Sequence, residues 1–181
     1  MQSSKKTALV SRRQFLAVSA MGSAAAAIGC SPGKHAGWEF LSEGQARALT
    51  VLCDQIIPAD DFPSASQAGV LTYIDNQLVR FYRRHQEAYR DGLAQAATLS
   101  ATRFGKPLDE LQPAQQLEIT RAIEQQNSSF FNLVREHTLE GFYGAPRHGG
   151  NRDAVSWRML GLPEPPPLGR AQYDLRKDSA S

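Results

Sequence analysis

Several patterns that would point to a bound cofactor or a disulfide framework are missing from this chain of 181 residues. Its two cysteines, Cys30 and Cys53, form neither a Cys-x-x-Cys redox pair nor a Cys-x-x-Cys-His haem attachment site. No Gly-x-Gly-x-x-Gly fingerprint for a dinucleotide is present. The strict apolar–polar alternation of a strand is absent over any useful length. These absences favour a helical chain that is stabilised by packing or by a partner.

The N-terminus has the features of an export signal. Lysines at positions 5 and 6 precede Ser11-Arg12-Arg13-Gln14-Phe15-Leu16, and an uncharged, alanine-rich stretch follows to residue 29. This order of basic region, short apolar region and small-residue exit is typical of a secretory signal. Residues 1–30 are therefore a predicted twin-arginine signal, and its recognition motif consists of Arg12, Arg13, Phe15 and Leu16. Because this route moves folded proteins, either the chain or a bound partner is expected to fold before export.

Two alternatives to a simple cleaved signal remain open. The apolar stretch is about 15 residues long, whereas a helix that spans a membrane needs roughly 20, so we expect a signal rather than an anchor. Cys30 follows Ala27-Ile28-Gly29, which resembles a lipoprotein processing box in which Ala27 replaces the usual leucine. Lipidation of Cys30 would tether the domain to a membrane.

The signal also accounts for the basic balance of the chain. It holds four of the 20 basic residues and no acid, which leaves 16 basic and 18 acidic residues beyond it, a net charge of −2. Bulk charge therefore gives no reason to expect a nucleic-acid partner. About 150 residues remain, enough for one domain with a real core. With Cys30 trimmed or lipidated, only Cys53 is left, and an internal disulfide is excluded.

The rest of the chain is predicted to be all-α, as a single small domain of about five helices over residues 38–163. A linker at 31–37 precedes it, and an extended, polar, proline-rich tail at 164–181 follows it. The first helix has a Ser42–Gln45 capping box and ends at Pro58. The other helices are predicted over 69–81, over about 84–104, from Pro113, and from a cap at Ser128 or Ser129. Residues expected on the apolar faces include Phe81, Ala97, Phe104 and Leu117.

The segment from residue 141 to residue 163 combines clustered glycines with large aromatic and arginine side chains. Glycine lets a backbone approach another surface closely, and Trp, Tyr and Arg are enriched in interface hot spots. The alternative is a loop that folds back on its own helices. The predicted partner interface consists of Phe142, Tyr143, Gly149, Gly150, Asn151, Arg152 and Trp157.

Two groups of motifs carry a resemblance to a known family. The front group is Asp54-Gln55-Ile56-Ile57-Pro58-Ala59-Asp60, Ala68-Gly69-Val70 and Tyr73-Ile74-Asp75. The rear group is Thr138-Leu139-Glu140-Gly141-Phe142-Tyr143, Pro146, Gly149-Gly150-Asn151-Arg152-Asp153 and Trp157. In this order they resemble the gluconate 2-dehydrogenase subunit 3 family. The chain departs from the usual family pattern at Ser64, His148, Ser156 and Glu164, which bears on the identity of the partner.

The resemblance implies a small, helical, non-catalytic subunit with no cofactor of its own. Its expected partner is a large FAD-dependent dehydrogenase of the glucose–methanol–choline type, which acts on a sugar or sugar acid and lacks its own signal. A multihaem cytochrome c often completes the complex. The small subunit would help the flavoprotein mature and carry it through the twin-arginine translocase. We therefore expect a periplasmic location, with membrane association through the complex or through a lipid on Cys30.

The alternative is a free-standing exported enzyme or binding protein, lipid-anchored or not, that uses the glycine-rich loop. His137 and Glu140 lie three residues apart on a predicted helix, but no third metal ligand stands at a recognisable spacing. His148, beside two glycines, is more simply a hydrogen-bonding loop residue than a catalytic one. Cys53 lies in an apolar helix face and is expected to be a small buried hydrophobe. The sequence therefore predicts no catalytic, cofactor-binding or metal-ligating residue in this chain.

Overall fold

A computed structural model describes residues 37–163. The predicted signal, Cys30, most of the linker and the tail from residue 164 lie outside the described residues. Within 37–163 there are six α-helices and no strand, so the all-α prediction is confirmed. The helices are α1 Glu43–Ile56, α2 Val70–Leu78, α3 Gln86–Phe104, α4 Pro113–Gln126, α5 Ser128–Tyr143 and α6 Val155–Met159. None of these helices is both long and apolar enough to cross a membrane.

Helix α1 begins where the capping box predicts. The backbone N–H of Gln45 donates to the Ser42 hydroxyl at 3.3 Å, and the Ser42 N–H donates to the Gln45 side-chain oxygen at 2.9 Å. These two bonds satisfy donors that a helix N-terminus leaves without partners. The helix ends at its C-cap, Ile57, directly before Pro58, which cannot continue it.

The core is built around α1, which packs against α2, α3, α4 and α5. Its apolar face buries Leu49, Leu52 and Cys53, as the spacing predicts. Within residues 37–163 the buried core residues run from Leu41 to Val155. These residues form one continuous cluster, so the described helices share a single hydrophobic core.

A buried carboxylate fixes the entry to α1. Asp75 on α2 accepts backbone N–H bonds from Glu39, Phe40 and Leu41 at 2.6, 3.0 and 2.9 Å. Backbone donors of this kind satisfy a carboxylate that burial would otherwise leave unpaired. Asp75 thus ties the segment before α1 to the second helix, which explains a polar residue inside an apolar stripe.

The structure corrects several sequence-based details. Helix α2 ends at Leu78 rather than at residue 81, because the N–H of Tyr82 bonds back to the Gln77 carbonyl at 2.8 Å and turns the chain. Phe81 is consequently exposed instead of buried. Ala97 and Leu117 also face solvent.

The start of α5 is a further correction. Asn127 caps this helix, with its side-chain oxygen accepting the Phe130 N–H at 3.2 Å, so neither Ser128 nor Ser129 is the cap. Asparagine is as good a cap as serine, and the one-residue difference changes only where the helix starts. Helix α6 was not predicted, because its five residues are too few for a periodic pattern.

Candidate functional site

The glycine-rich segment after α5 packs closely on the chain's own helices. A Cβ atom on Gly150 would clash with the carbonyl of Gly141 in α5. A Cβ atom on Gly149 would lie 3.0 Å from the side-chain nitrogen of Asn76 in α2. The N–H of Arg152 donates to the Ala68 carbonyl at 2.8 Å. The glycines therefore let the segment close over α2 and α5.

Buried Asn151 shapes the next turn. Its side chain donates to the Gly144 carbonyl at 2.8 Å and accepts the N–H of Ser156 at 2.9 Å. Asn151, Asp153 and Ala154 all have positive φ, at 45°, 55° and 52°. Such angles are uncommon outside glycine and mark positions that the surroundings must hold in place. The two hydrogen bonds of Asn151 help to stabilise this backbone conformation, and the turn is followed directly by α6.

Trp157 connects this turn to the end of α5. Its indole Nε1 donates to the Tyr143 carbonyl at 2.9 Å, and its ring is half-buried. The rings of Phe142 and Tyr143 meet edge to face, with centroids 5.1 Å apart. Trp157 therefore holds the backbone that carries Tyr143.

The seven residues of the predicted interface lie in one segment but in three environments. Tyr143 and Arg152 are exposed, Gly149 and Trp157 are half-buried, and Phe142, Gly150 and Asn151 are buried. Only the exposed and half-buried members present surface from which another molecule could be contacted. The buried members set the shape of the segment beneath them.

An apolar groove of about 340 Å³ brings the two groups of motifs together, and we call it the motif groove. Its front wall consists of Ile56, Ile57, Pro58, Asp60, Phe62 and Pro63. Its rear wall consists of Leu139, Phe142, Tyr143 and Met159. Three large side chains at its edge, Phe62, Leu139 and Tyr143, are 42%, 40% and 41% exposed. A cluster of exposed apolar side chains around a concavity is typical of an interaction site.

Hydrogen bonds hold the front wall of the motif groove in one conformation. The Asp54 carboxylate accepts the N–H and the hydroxyl of Ser66 at 2.8 and 2.7 Å. The Asp60 side chain accepts the Phe62 N–H at 2.8 Å. Asp60 is thus an acid that stabilises the loop after α1. With its neighbour Asp61 it gives the groove an exposed acidic edge.

Sequence reasoning did not find Phe62 or Met159 as parts of this site. Phe62 is a single aromatic in a loop of small and acidic residues, where an apolar side chain has no periodic partner. That isolation is a usable signal, because a loop aromatic without a periodic partner often remains on the surface. Met159 gives no comparable signal, since its place depends on the turn at residues 151–154.

A second cluster of polar and aromatic side chains lies on the other side of α5. The ring of Tyr82 stacks on His137, with centroids 3.8 Å apart and planes 4° from parallel. The Tyr89 hydroxyl and His137 Nδ1 are 3.0 Å apart. The Tyr82 hydroxyl donates to Glu140 and lies 2.8 Å from the Tyr73 hydroxyl. We call these five residues the Tyr–His stack.

The tyrosine and histidine side chains of the Tyr–His stack are neutral at pH 7. Burial lowers the pKa of His137 to about 4, an effect that nearby Glu140 opposes. Burial also raises the pKa values of Tyr73, Tyr82 and Tyr89 above their usual range. His137 is thus directed toward Tyr89 while Glu140 accepts tyrosine hydroxyls, which does not favour their use as a metal pair. Within residues 37–163 no three or more His, Cys, Asp or Glu side chains are grouped to hold a metal.

Cys53 has the environment of a small core residue. It is fully buried and accepts a hydrogen bond from the Thr138 hydroxyl at 3.3 Å. Burial raises the pKa of its thiol to about 12, so the reactive thiolate is scarce. The sequence-based interpretation of Cys53 as a buried hydrophobe is confirmed.

Comparison with known proteins identifies one family. A family model described as gluconate 2-dehydrogenase subunit 3 matches residues 43–163. This range contains both groups of motifs and all residues of the motif groove. No curated protein matches the chain, and no solved structure matches it.

Proposed function

This chain belongs to the gluconate 2-dehydrogenase subunit 3 family, as an accessory subunit, and from that membership we propose its role in full. It binds an FAD-dependent dehydrogenase of the glucose–methanol–choline type that acts on a sugar or sugar acid. It helps that flavoprotein mature and escorts it through the twin-arginine translocase. FAD belongs to the large subunit, and haem c belongs to a cytochrome subunit where one is present. The single observation that carries the proposal is the family match over residues 43–163.

The motif groove supports the binding role. Residues of the front and rear motifs, which are about 80 positions apart in the chain, line the same concavity. Aromatic anchors around a concave apolar surface are the usual centre of a protein interface. Tyr143 and Phe62 are placed to act as such anchors, while Trp157 positions Tyr143. We assign direct contact to the exposed residues and a shaping role to the buried glycines and Asn151.

The N-terminal signal supports the escort role. Arg12 and Arg13 direct the chain to an export route that carries folded proteins. A cofactor-loaded partner that is bound to the small subunit can therefore be exported by means of the small subunit's signal. We therefore place the complex in the periplasm. Attachment to the membrane comes through the assembled complex or through a lipid on Cys30.

Exchanging both arginines tests the escort role most directly. With Arg12→Lys and Arg13→Lys together, we expect export of this chain and of its flavoprotein to fall at least about tenfold. A receptor that reads guanidinium groups does not accept lysine as an equivalent, although the charge is kept. Flavoprotein activity is measured in the periplasmic fraction, with Lys5→Arg and Lys6→Arg as the matched control. Unchanged export of the flavoprotein in the double-lysine variant would contradict the escort role.

Purification of the wild-type chain separates the proposal from the free-standing alternative. We expect an FAD-containing dehydrogenase to co-elute in a fixed ratio, with flavin absorbance and sugar-dependent dye reduction. The chain separated from it is expected to show neither property. If the lone chain turns over a substrate, the accessory role is wrong and the free-standing enzyme is the better account.

A further inference from the structure

The most exposed large apolar side chain in the described part of the molecule is Phe81, at 77%. It lies in the turn between α2 and α3, which begins where the Tyr82 N–H bonds back to the Gln77 carbonyl. With Tyr73, Tyr82 and His148, Phe81 lines a shallow hollow of about 220 Å³. The ring therefore projects from the surface beside this hollow instead of covering the core.

Four arginines belong to the same surface. Arg80, Arg83 and Arg84 flank Phe81 in the chain, and all three are exposed. Arg147 joins them through His148, since its Nε and His148 Nε2 are 3.2 Å apart. We call Phe81 and these four arginines the basic turn.

The arginines of the basic turn make no ion pair with a described carboxylate, so their charge is available to an external anion. In residues 37–163 the ion pairs are Arg47–Asp109 and Arg103–Glu118, and neither includes an arginine of the turn. The carboxylate of Glu140 accepts bonds from tyrosine hydroxyls. This concentration of positive charge stands out because the chain beyond its signal has a net charge of −2.

Ring stacking and hydrogen bonds also fix the conformation of the basic turn. Tyr82 stacks on His137, and the Gln86 side chain donates to the Leu78 carbonyl at 2.9 Å. The Nε of Arg83 donates to the Val79 carbonyl at 2.7 Å. Phe81 is thus displayed by a fixed turn, so ordering it on a partner costs little conformational entropy.

We propose that the basic turn docks the protein on an anionic phospholipid bilayer. Phe81 enters the boundary between headgroups and acyl chains, and the arginines contact lipid phosphates. A projecting aromatic ring surrounded by cations suits a soft anionic surface, because a folded protein partner would need a preformed pocket for the ring. This role concerns a different surface from the motif groove and does not depend on the identity of the dehydrogenase.

Vesicle sedimentation of residues 34–181 tests the proposal without the signal, which would itself bind lipid. This fragment contains the buried core of the described residues, from Leu41 to Val155. We expect it to bind vesicles of phosphatidylcholine and phosphatidylglycerol at 7:3, to bind pure phosphatidylcholine much more weakly, and to lose binding in high salt. Arg83→Gln with Arg84→Gln should weaken binding about 25-fold, at about fivefold for each arginine. Phe81→Ala should weaken it about tenfold.

The matched control is Lys106→Gln with Arg121→Gln, which removes the same charge from exposed positions elsewhere. Lys106 follows the far end of α3, whose 19 residues make it about 28 Å long. We expect this control to change binding less than about threefold. Each variant is compared with wild type by thermal melting, so that loss of the fold is recognised.

Phe81→Trp provides a direct measure of insertion. Brominated lipids should quench the added tryptophan fluorescence on anionic vesicles, beyond any quenching of the two native tryptophans. Equal loss in the control and the Arg83/Arg84 variant, or equal binding to both lipid mixtures, would overturn the proposal. It would also be wrong if that variant kept vesicle binding in the fragment and lost the co-purifying flavoprotein in the full chain, since the turn would then be a protein interface.

Discussion

The motif groove and the basic turn lie on either side of helix α5 and differ in shape and charge. Leu139, Phe142 and Tyr143 of α5 line the groove, while His137 and Glu140 belong to the Tyr–His stack beneath the turn. The groove is concave, apolar and edged by exposed acids. The turn projects outward and carries arginines. One helix therefore separates two surfaces suited to different partners, which fits a subunit that bridges an enzyme and a membrane.

The two surfaces also differ in how many of the motif residues they contain. Motif residues line much of the groove, whereas on the side of the turn the motif residues Tyr73 and Glu140 belong to the Tyr–His stack beneath it. Phe81 and its neighbouring arginines lie between the front and rear motifs and belong to neither. The groove thus holds most of the motif residues at the surface, although the family match over residues 43–163 includes both surfaces.

The strongest test of this difference removes the aromatic anchors of the groove. Phe62→Ala with Tyr143→Ala should weaken binding of the large subunit by about 2–4 kcal/mol, roughly 30- to 1,000-fold, because interface energy is concentrated in such side chains. Both residues are exposed, so the melting temperature should change little. Affinity is measured by titration of the purified flavoprotein.

Phe81→Ala is the matched aromatic truncation on the other surface. It should leave affinity for the large subunit within about twofold of wild type. If both variants weaken binding equally, the large subunit covers both surfaces, and their separation into two roles is wrong.

Tyr82 offers a way to disable the turn while keeping the groove. Tyr82→Ala removes the ring that stacks on His137 and should cost about 2 kcal/mol of unfolding free energy, since a half-buried aromatic and its hydrogen bonds are lost. Tyr82→Phe keeps the stack and should cost at most about 1 kcal/mol. Vesicle binding should fall in the alanine variant only, with flavoprotein binding retained at temperatures where it is folded. Loss of both activities below the melting temperature would show that the two surfaces are coupled.

Trp157 tests how the groove displays Tyr143. Trp157→Ala removes the bond from the indole to the Tyr143 carbonyl and should weaken flavoprotein binding about tenfold. Trp157→Phe, which keeps an aromatic ring but lacks the N–H, should be intermediate. Circular dichroism and melting of the free subunit are recorded beside the affinities. A melting temperature that falls together with binding would assign Trp157 to the core of the subunit instead of to its interface.

The sequence predicts the parts of this structure that depend on local chemistry. The Ser42–Gln45 capping box, the buried face of α1 and the all-α class follow from short-range patterns. The motif groove requires contacts across about 80 positions, and no periodicity within one helix reports which two segments meet. Phe81 was expected on an apolar face because its spacing continues the α2 stripe. The backbone turn at Gln77 and Tyr82 ends the helix first, and a purely apolar pattern contains no sign of that bond.

A last expected effect is a pH dependence that arises on the turn side of α5. Burial lowers the pKa of His137 from 6.5 to about 4, with Glu140 opposing the shift and His85 and Arg84 adding to it. The unfolded chain takes up this proton near pH 6.5, whereas the folded chain takes it up only near pH 4. The contribution of neutral His137 to the unfolding free energy is therefore complete above pH 6.5 and is lost as the pH falls toward 4. This contribution is on the order of 1–2 kcal/mol after allowance for partial solvent screening.

Urea unfolding between pH 4 and 7 measures the slope of the unfolding free energy against pH, with His137→Phe as the control variant. Phenylalanine keeps an aromatic ring in the stack but cannot take up a proton, so the part of the slope due to His137 should disappear. The motif groove has no histidine in its walls, and its affinity for the flavoprotein should not follow the same curve. If His137→Phe unfolds with the wild-type pH profile, other groups carry the acid sensitivity. The stack then supports the basic turn through packing alone, and the contrast between the two sides of α5 is one of shape and surface charge.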